Sequence, residues 1–205
     1  FFDYVADVDA LVHHLGRPIR LVGHSMGGSI ACYFAGARPE LVTALVLVEG
    51  LGPPDARHDP VGVARRHLND RLELRQHPTF ADRQAAIKRM RVFNKRLDDN
   101  IANQLVETMV QPADDGQLTW SWDHLHRARN AHPFDAHVFQ AFLREIRCPT
   151  LVVRGGDSTF FPNDYPRRRD CIEQARDLVI PNAGHLVHHD QPAALADAIS
   201  TFFDA

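Results

Sequence analysis

Ser25 stands between Gly23 and Gly27 in the run Arg20-Leu21-Val22-Gly23-His24-Ser25-Met26-Gly27-Gly28, directly after a short apolar stretch. A hydroxyl at this G-x-S-x-G spacing is suited to nucleophilic attack. A strand that turns sharply into a helix holds such a serine clear of the sheet edge in a strained backbone conformation. Side chains at the flanking positions would collide in the turn, and glycine removes the collision. The turn also sets the first amides of the new helix beneath the hydroxyl, where they can hold an oxyanion, and the nearest donor would be the amide of Met26. The serine needs a base of pKa near ~7 to take its proton, and histidine is the natural one. Among 13 histidines, His185 is the candidate, because the turn Pro181-Asn182-Ala183-Gly184-His185 follows the last predicted strand on the sheet edge that bears Ser25. His188 and His189 read as solvent-exposed or capping residues at the start of the final helix. His24 reads as a packing or pocket-lining residue whose ring points away from the nucleophile.

The elements that position these residues follow from periodicity. Tyr4, Val8, Leu11, Val12 and Leu15 recur at helical spacing and stop at Gly16 before Pro18, which predicts an opening amphipathic helix. Ile19 to Val22 predicts a buried strand, and Ser29 to Ala35 a helix ending near Gly36 or Pro39. Leu41 to Glu49 is a β-branched apolar run of the kind buried on both faces in a parallel sheet, and it stops at Gly50, Gly52, Pro53 and Pro54. From Asp55 to Phe139 the composition turns arginine- and histidine-rich and helical, with Ala85 to Met90 and Ile101 to Val110 the clearest helices and Pro112 to Gly116 a turn. Pro149 to Arg154 is again a buried strand, before Gly155, Gly156 and Asp157. A helix carrying Cys171, a strand at Asp177 to Ile180 and a closing helix from Pro192 to Phe203 complete the chain. Alternating strands and helices predict an α/β fold, a mostly parallel sheet flanked by helices, with a helical cap insertion. The predicted organisation is a core of residues 1–54 and 140–205 and a cap of 55–139.

Composition narrows the function classes. The 205 residues suit one domain with an inserted subdomain, and 44% hydrophobic residues supply a core. A formal charge of −3 gives no basic field, so nucleic acid is not expected as a partner. The basic run Arg167-Arg168-Arg169 reads as a solvated helix face. Cys32, Cys148 and Cys171 are an odd count without repeated spacing, which points to a reducing compartment and a cytoplasmic location. No apolar run reaches the length of a membrane span.

In this order, Gly23-His24-Ser25-Met26-Gly27-Gly28, the strand end Leu45 to Gly50, the strand Leu151 to Asp157 and the late Pro181 to Pro192 resemble the α/β-hydrolase superfamily, in particular bacterial esterase-like members with a helical cap. The resemblance covers essentially the whole chain. It implies a serine, acid and histidine triad with the acid lying between the other two in sequence, and a cap that Asp55 to Phe139 would supply. The family's usual aspartate position falls on Ser158 here. Asp157 is one residue early, and Glu49, at the end of the strand after the elbow helix, offers a second solution known from some superfamily members. Either carboxylate could orient the imidazole, so both stand as candidates, beside a dyad without an acid. The family fold also has strands and a second oxyanion amide ahead of the elbow, whereas this chain reaches its serine at residue 25. A preceding segment, or another polypeptide such as a second copy of the chain, is therefore expected to complete it.

The expected function is hydrolysis of an ester or similarly activated acyl bond in a small, partly apolar substrate. Ser25 attacks, His185 moves the proton, Asp157 or Glu49 orients His185, Met26 supplies the oxyanion amide and His24 lines the pocket, with no cofactor and no metal. A carbon–carbon bond hydrolase using the same triad and a non-catalytic ligand-binding protein are the alternatives. Asp123-His124-Leu125-His126 has the look of a metal site but lacks a third ligand at a diagnostic spacing. Trp120, Trp122, Phe134 and Phe139 line either an acyl pocket or the core of the cap. The glycines around Ser25 do not match a dinucleotide fingerprint, so a nicotinamide cofactor is not expected.

Overall fold

The computed structural model describes residues 1–73 and 76–205. Helix α1 (Phe2–Leu15) ends at Gly16, whose left-handed conformation (φ 65°) lets its amide close onto the carbonyls of Val12 and His13. Strand β1 (Ile19–His24) passes through Ser25 into α2 (Met26–Ala37), and β2 (Val42–Val48) follows. Next come α3 (Pro60–Glu73), α4 (Arg83–Phe93), α5 (Asp99–Met109) and the short strands β3 (Val110–Pro112) and β4 (Leu118–Trp120). The chain closes with α6 (Ala136–Glu145), β5 (Thr150–Gly155), α7 (Tyr165–Arg169), β6 (Ala175–Ile180), α8 (Val187–Asp190) and α9 (Pro192–Phe203).

The chain divides into two compact units, residues 1–58 with 134–205, and residues 59–133. In the first, the strands form a parallel sheet in the order β1-β2-β5-β6, the α/β architecture that the sequence predicts. Strand alternation sorts its side chains. Leu45 and Leu47 of β2 and Val152 of β5 pack with Val12 of α1, Phe34 of α2 and Phe139 and Leu143 of α6. Val46 and Val48 of β2 and Leu151 and Val153 of β5 form a separate cluster with Ile180, Val187 of α8 and Leu195 of α9. Central strands buried on both faces need continuous apolar runs, which is why β2 reads as one. Pairing Val48 with both His24 and Val153 brings the ends of β1, β2 and β5 to one edge.

The second unit holds α3, and in it α4, α5 and the antiparallel β3–β4 hairpin surround Phe80, Ile87, Leu97, Val106 and Trp120. Helix α5 stops one residue short of the predicted Val110, which starts β3 instead, and the predicted turn at 112–116 is the hairpin loop. The unit's limits also differ from the predicted 55–139. Residues 134–139 pack with the sheet, with the Phe139 ring 5.0 Å from Tyr33 and the Phe134 ring 5.3 Å from Phe139. Asp135 caps α6 by accepting from the amides of His137 and Val138, so a new helix begins there. Phe134 and Phe139 thus belong to the core of the sheet unit, and Trp120 to the core of the other.

Candidate active site

Ser25 has φ 52° and ψ −116°, a conformation that L residues rarely adopt. It is held there by its own amide, which donates to the Val48 carbonyl at 2.9 Å, and by its carbonyl, which accepts from the Ser29 amide at 3.2 Å. The glycines that permit the turn are not the pair expected. A Cβ on Gly23 would lie 2.5 Å from the Gly27 carbonyl oxygen, so Gly23 is required, but a Cβ on Gly27 would meet nothing within 4 Å. The second tight position is Gly28, where a Cβ would lie 2.6 Å from the Gly50 Cα, because α2 crosses the end of β2 almost backbone to backbone. Met26 opens α2 with an exposed side chain, and the first amides of a helix have no partner inside it. A partial positive charge therefore lies beside the Ser25 hydroxyl.

His185 completes a continuous chain of hydrogen bonds. Its Nε2 is 2.9 Å from Ser25 Oγ and its Nδ1 is 3.1 Å from Glu49 Oε2. A carboxylate only accepts, so Nδ1 carries the proton and donates it to Glu49, leaving the Nε2 lone pair to accept from the serine hydroxyl. The loop after β6 is built to present this ring. Asn182 takes a left-handed φ of 56°, which asparagine tolerates, and the Gly184 amide donates to Asp190 at 2.8 Å.

Of the two carboxylates left open by the sequence, the one at Nδ1 is Glu49. Asp157 is exposed in the loop after β5, and its amide donates to the Ala183 carbonyl at 2.9 Å. Glu49 has a fully buried side chain and accepts from the Gly155 amide at 2.8 Å through Oε1 and from the Ser158 hydroxyl at 2.7 Å through Oε2. Ser158, on the loop after β5, thus supports a carboxylate that lies just beyond β2. Glu49 itself has φ 53°, a strained value for a residue with a side chain.

The chain leaving Glu49 is gripped by Arg168, a residue missed in the sequence reading because it lies in a run of three arginines. Far from a solvated face, Arg168 is fully buried. Its Nη1 donates to the carbonyls of Leu51 and Pro53, each at 2.8 Å, and its Nε to Asp164 at 2.9 Å, with Phe134 and Phe139 beside the guanidinium. Arg169 pairs with Asp177 at 2.6 Å, and Arg167 is exposed.

His24 has a specific partner. Its Nε2 donates to the His185 carbonyl at 2.8 Å, so it holds the loop that carries His185. His188 and His189 are not at the start of the final helix but in the separate α8, and the His188 ring lies 4.6 Å from His24 and 4.1 Å from His189. Burial pushes the pKa of all three down, that of His188 to about 4, so they are neutral at pH 7. Among the described residues, no group of three or more His, Cys, Asp or Glu is placed to hold a metal ion, His124 included. No helix among these residues is long and apolar enough to cross a membrane.

A family model described as alpha/beta hydrolase fold matches residues 1–192. The chain is 31% identical over 201 residues to a mouse (Mus musculus) protein named sn-1-specific diacylglycerol lipase ABHD11, covering 96% of this chain and 62% of that one. The chain thus spans less than two thirds of that relative's length. Among solved structures it is similar to a thioesterase domain from the curacin biosynthetic pathway, with a TM-score of 0.80 and 31% identity over 96% of this chain and 70% of that one. A hypothetical protein from Pseudomonas aeruginosa PAO1 has a TM-score of 0.85 and 25% identity, over 100% of this chain and 74% of its own.

Proposed function

Because the chain belongs to the alpha/beta hydrolase fold family, we propose that it is a serine hydrolase that cleaves an ester or similarly activated acyl bond of a small, partly apolar substrate through an acyl-enzyme. Ser25 Oγ attacks the acyl carbon as His185 Nε2 takes its proton, and Glu49 stabilises the imidazolium that forms. The carbonyl oxygen becomes an oxyanion and is held by the amide of Met26 at the positive end of α2. His185 then gives its proton to the leaving oxygen, the carbon–oxygen bond breaks, and the acyl group remains on Ser25. A water, deprotonated by His185, releases it as the acid.

The observation that carries this reading is the unbroken contact from Ser25 Oγ through both nitrogens of His185 to a buried carboxylate. The strain at Ser25 points the same way. A cost of about 1–3 kcal/mol for a residue so placed is retained at functional sites, and here it suits a nucleophile held clear of the sheet. Lipase and thioesterase, two of the activities named among the similar proteins, are both acyl-bond hydrolyses.

The test is labelling of the purified chain with a fluorophosphonate. Labelling that disappears in Ser25→Ala is expected. A folded chain that stays unlabelled, or equal labelling of the Ser25→Ala protein, would overturn the reading.

A further inference from the structure

Two adjacent phenylalanines follow Ser158 and behave differently. Phe161 is half-buried against Tyr165, ring centroids 5.6 Å apart, with the Arg154 guanidinium 4.9 Å from its own centroid, and it anchors the loop. Phe160 is 60% exposed, yet its ring lies against the imidazole of His185, with centroids 4.4 Å apart and planes inclined by 53°. An apolar ring displayed to solvent on the face of the residue that moves the proton calls for a reason.

The ring's place is built by the same carboxylate that orients His185. Glu49 accepts from the Gly155 amide and from the Ser158 hydroxyl, and Ser158 Oγ in turn accepts from the Phe160 amide at 3.3 Å. The Gly156 and Asp157 amides donate to the Ile180 and Ala183 carbonyls at 2.8 and 2.9 Å, tying this loop to the one that carries His185. Phe160 is therefore positioned relative to His185 at both ends of the contact.

Resting on the serine-hydrolase reading above, we propose that Phe160 is the platform for the leaving group, and that the site favours esters of aromatic or bulky apolar alcohols. The geometry of the reaction distinguishes the two halves of an ester. To be protonated, the leaving oxygen must come within hydrogen-bond reach of His185 Nε2, so the group it carries extends along the imidazole and its wall. The oxyanion points instead to the start of α2. Phe160 walls the imidazole and so meets the alcohol half, which departs before deacylation. A ring on a ring is worth about tenfold in rate.

The experiment uses the full chain and its Phe160→Ala and Phe160→Tyr variants on esters that share one acyl group and differ in the alcohol, 2-naphthyl against ethyl. In Phe160→Ala, kcat/KM for the naphthyl ester is expected to fall about tenfold relative to the ethyl ester. Deacylation of the shared acyl-enzyme, which no longer holds the alcohol, stays unchanged, and Phe160→Tyr restores the preference. If Phe160 only shields His185 from water, both esters and deacylation fall together, and that result overturns the proposal. Fluorophosphonate labelling of Ser25 separates the two layers. Intact labelling with an unchanged alcohol preference overturns the Phe160 assignment alone, whereas failure to label the unsubstituted chain overturns the site reading and this proposal with it.

Discussion

Glu49→Gln removes one charge and almost no volume, and the contacts around the carboxylate fix its outcome. Oε1 accepts from the Gly155 amide at 2.8 Å, and Oε2 accepts from both the Ser158 hydroxyl and His185 Nδ1. A glutamine has one oxygen and one NH2 to put in those places. With the NH2 toward Gly155, two donors face each other and a buried backbone amide goes unpaired, at about 1–3 kcal/mol. With the NH2 toward Ser158 and His185, the Gly155 bond survives. The Ser158 hydroxyl rotates to accept, and His185 must present Nδ1 as an acceptor. The second arrangement wins, because a hydroxyl and an imidazole can exchange roles and a peptide amide cannot. It leaves the proton on Nε2, where it faces Ser25 Oγ and blocks its deprotonation. The loss of turnover is then that of a wrong tautomer, about 10⁴, with a stability change below about 1 kcal/mol. Ester turnover and denaturant unfolding, run beside Asp157→Asn, measure both. The Asp157 variant is expected to keep its rate to within a few-fold. Activity of Glu49→Gln within tenfold of the unsubstituted chain, or an equal loss in Asp157→Asn, would refute the argument.

Arg168→Leu strips the donors from two carbonyls after Glu49, so stability should fall by about 2–6 kcal/mol, at about 1–3 kcal/mol for each unpaired group. Arg167→Leu, at an exposed position, should stay within about 0.5 kcal/mol; urea unfolding compares them, and equal effects would refute the clamp. His188 predicts an acid-labile fold. Its native pKa of about 4 lies below the ordinary 6.5, so its contribution is fully present above pH 6.5 and is lost as the pH falls toward 4. Unfolding free energies at pH 7 and 5 should therefore differ less in His188→Gln, and the lost slope is at most about 1.4 kcal/mol per pH unit.

What was legible in the chain follows from how local each signal is. Ser25 was readable because its strand, turn and helix are contiguous, and His185 because the turn that presents it directly follows a strand. The acid is a different kind of information. Whether Glu49 or Asp157 reaches His185 depends on the register of β2 on β5, which pairs Val48 with Val153 and so sets Glu49 beside the Gly155 amide and Ser158. No spacing between residues 49 and 157 encodes that register. The glycines show the same division. Gly23 is tight against its own turn and was found, whereas Gly28 is tight against Gly50 on another strand and was missed.

Arg168 extends this reasoning to charge. Three consecutive arginines look alike in sequence, and a short helix must place one on each of three faces. The face that turns inward here meets carbonyls that the sharp exit from Glu49 has removed from the sheet, and a guanidinium is the side chain able to donate to both while stacking on Phe134 and Phe139. The need for it arises from the strained backbone at Glu49 and not from the helix that carries it. Placing the acid at the end of β2 thus has consequences in two other segments. Ser158, on the loop after β5, donates to the carboxylate, and Arg168, on α7, secures the chain behind it. A carboxylate in this place implies its own set of supports, and those supports are the residues that a reading of the motif alone passes over.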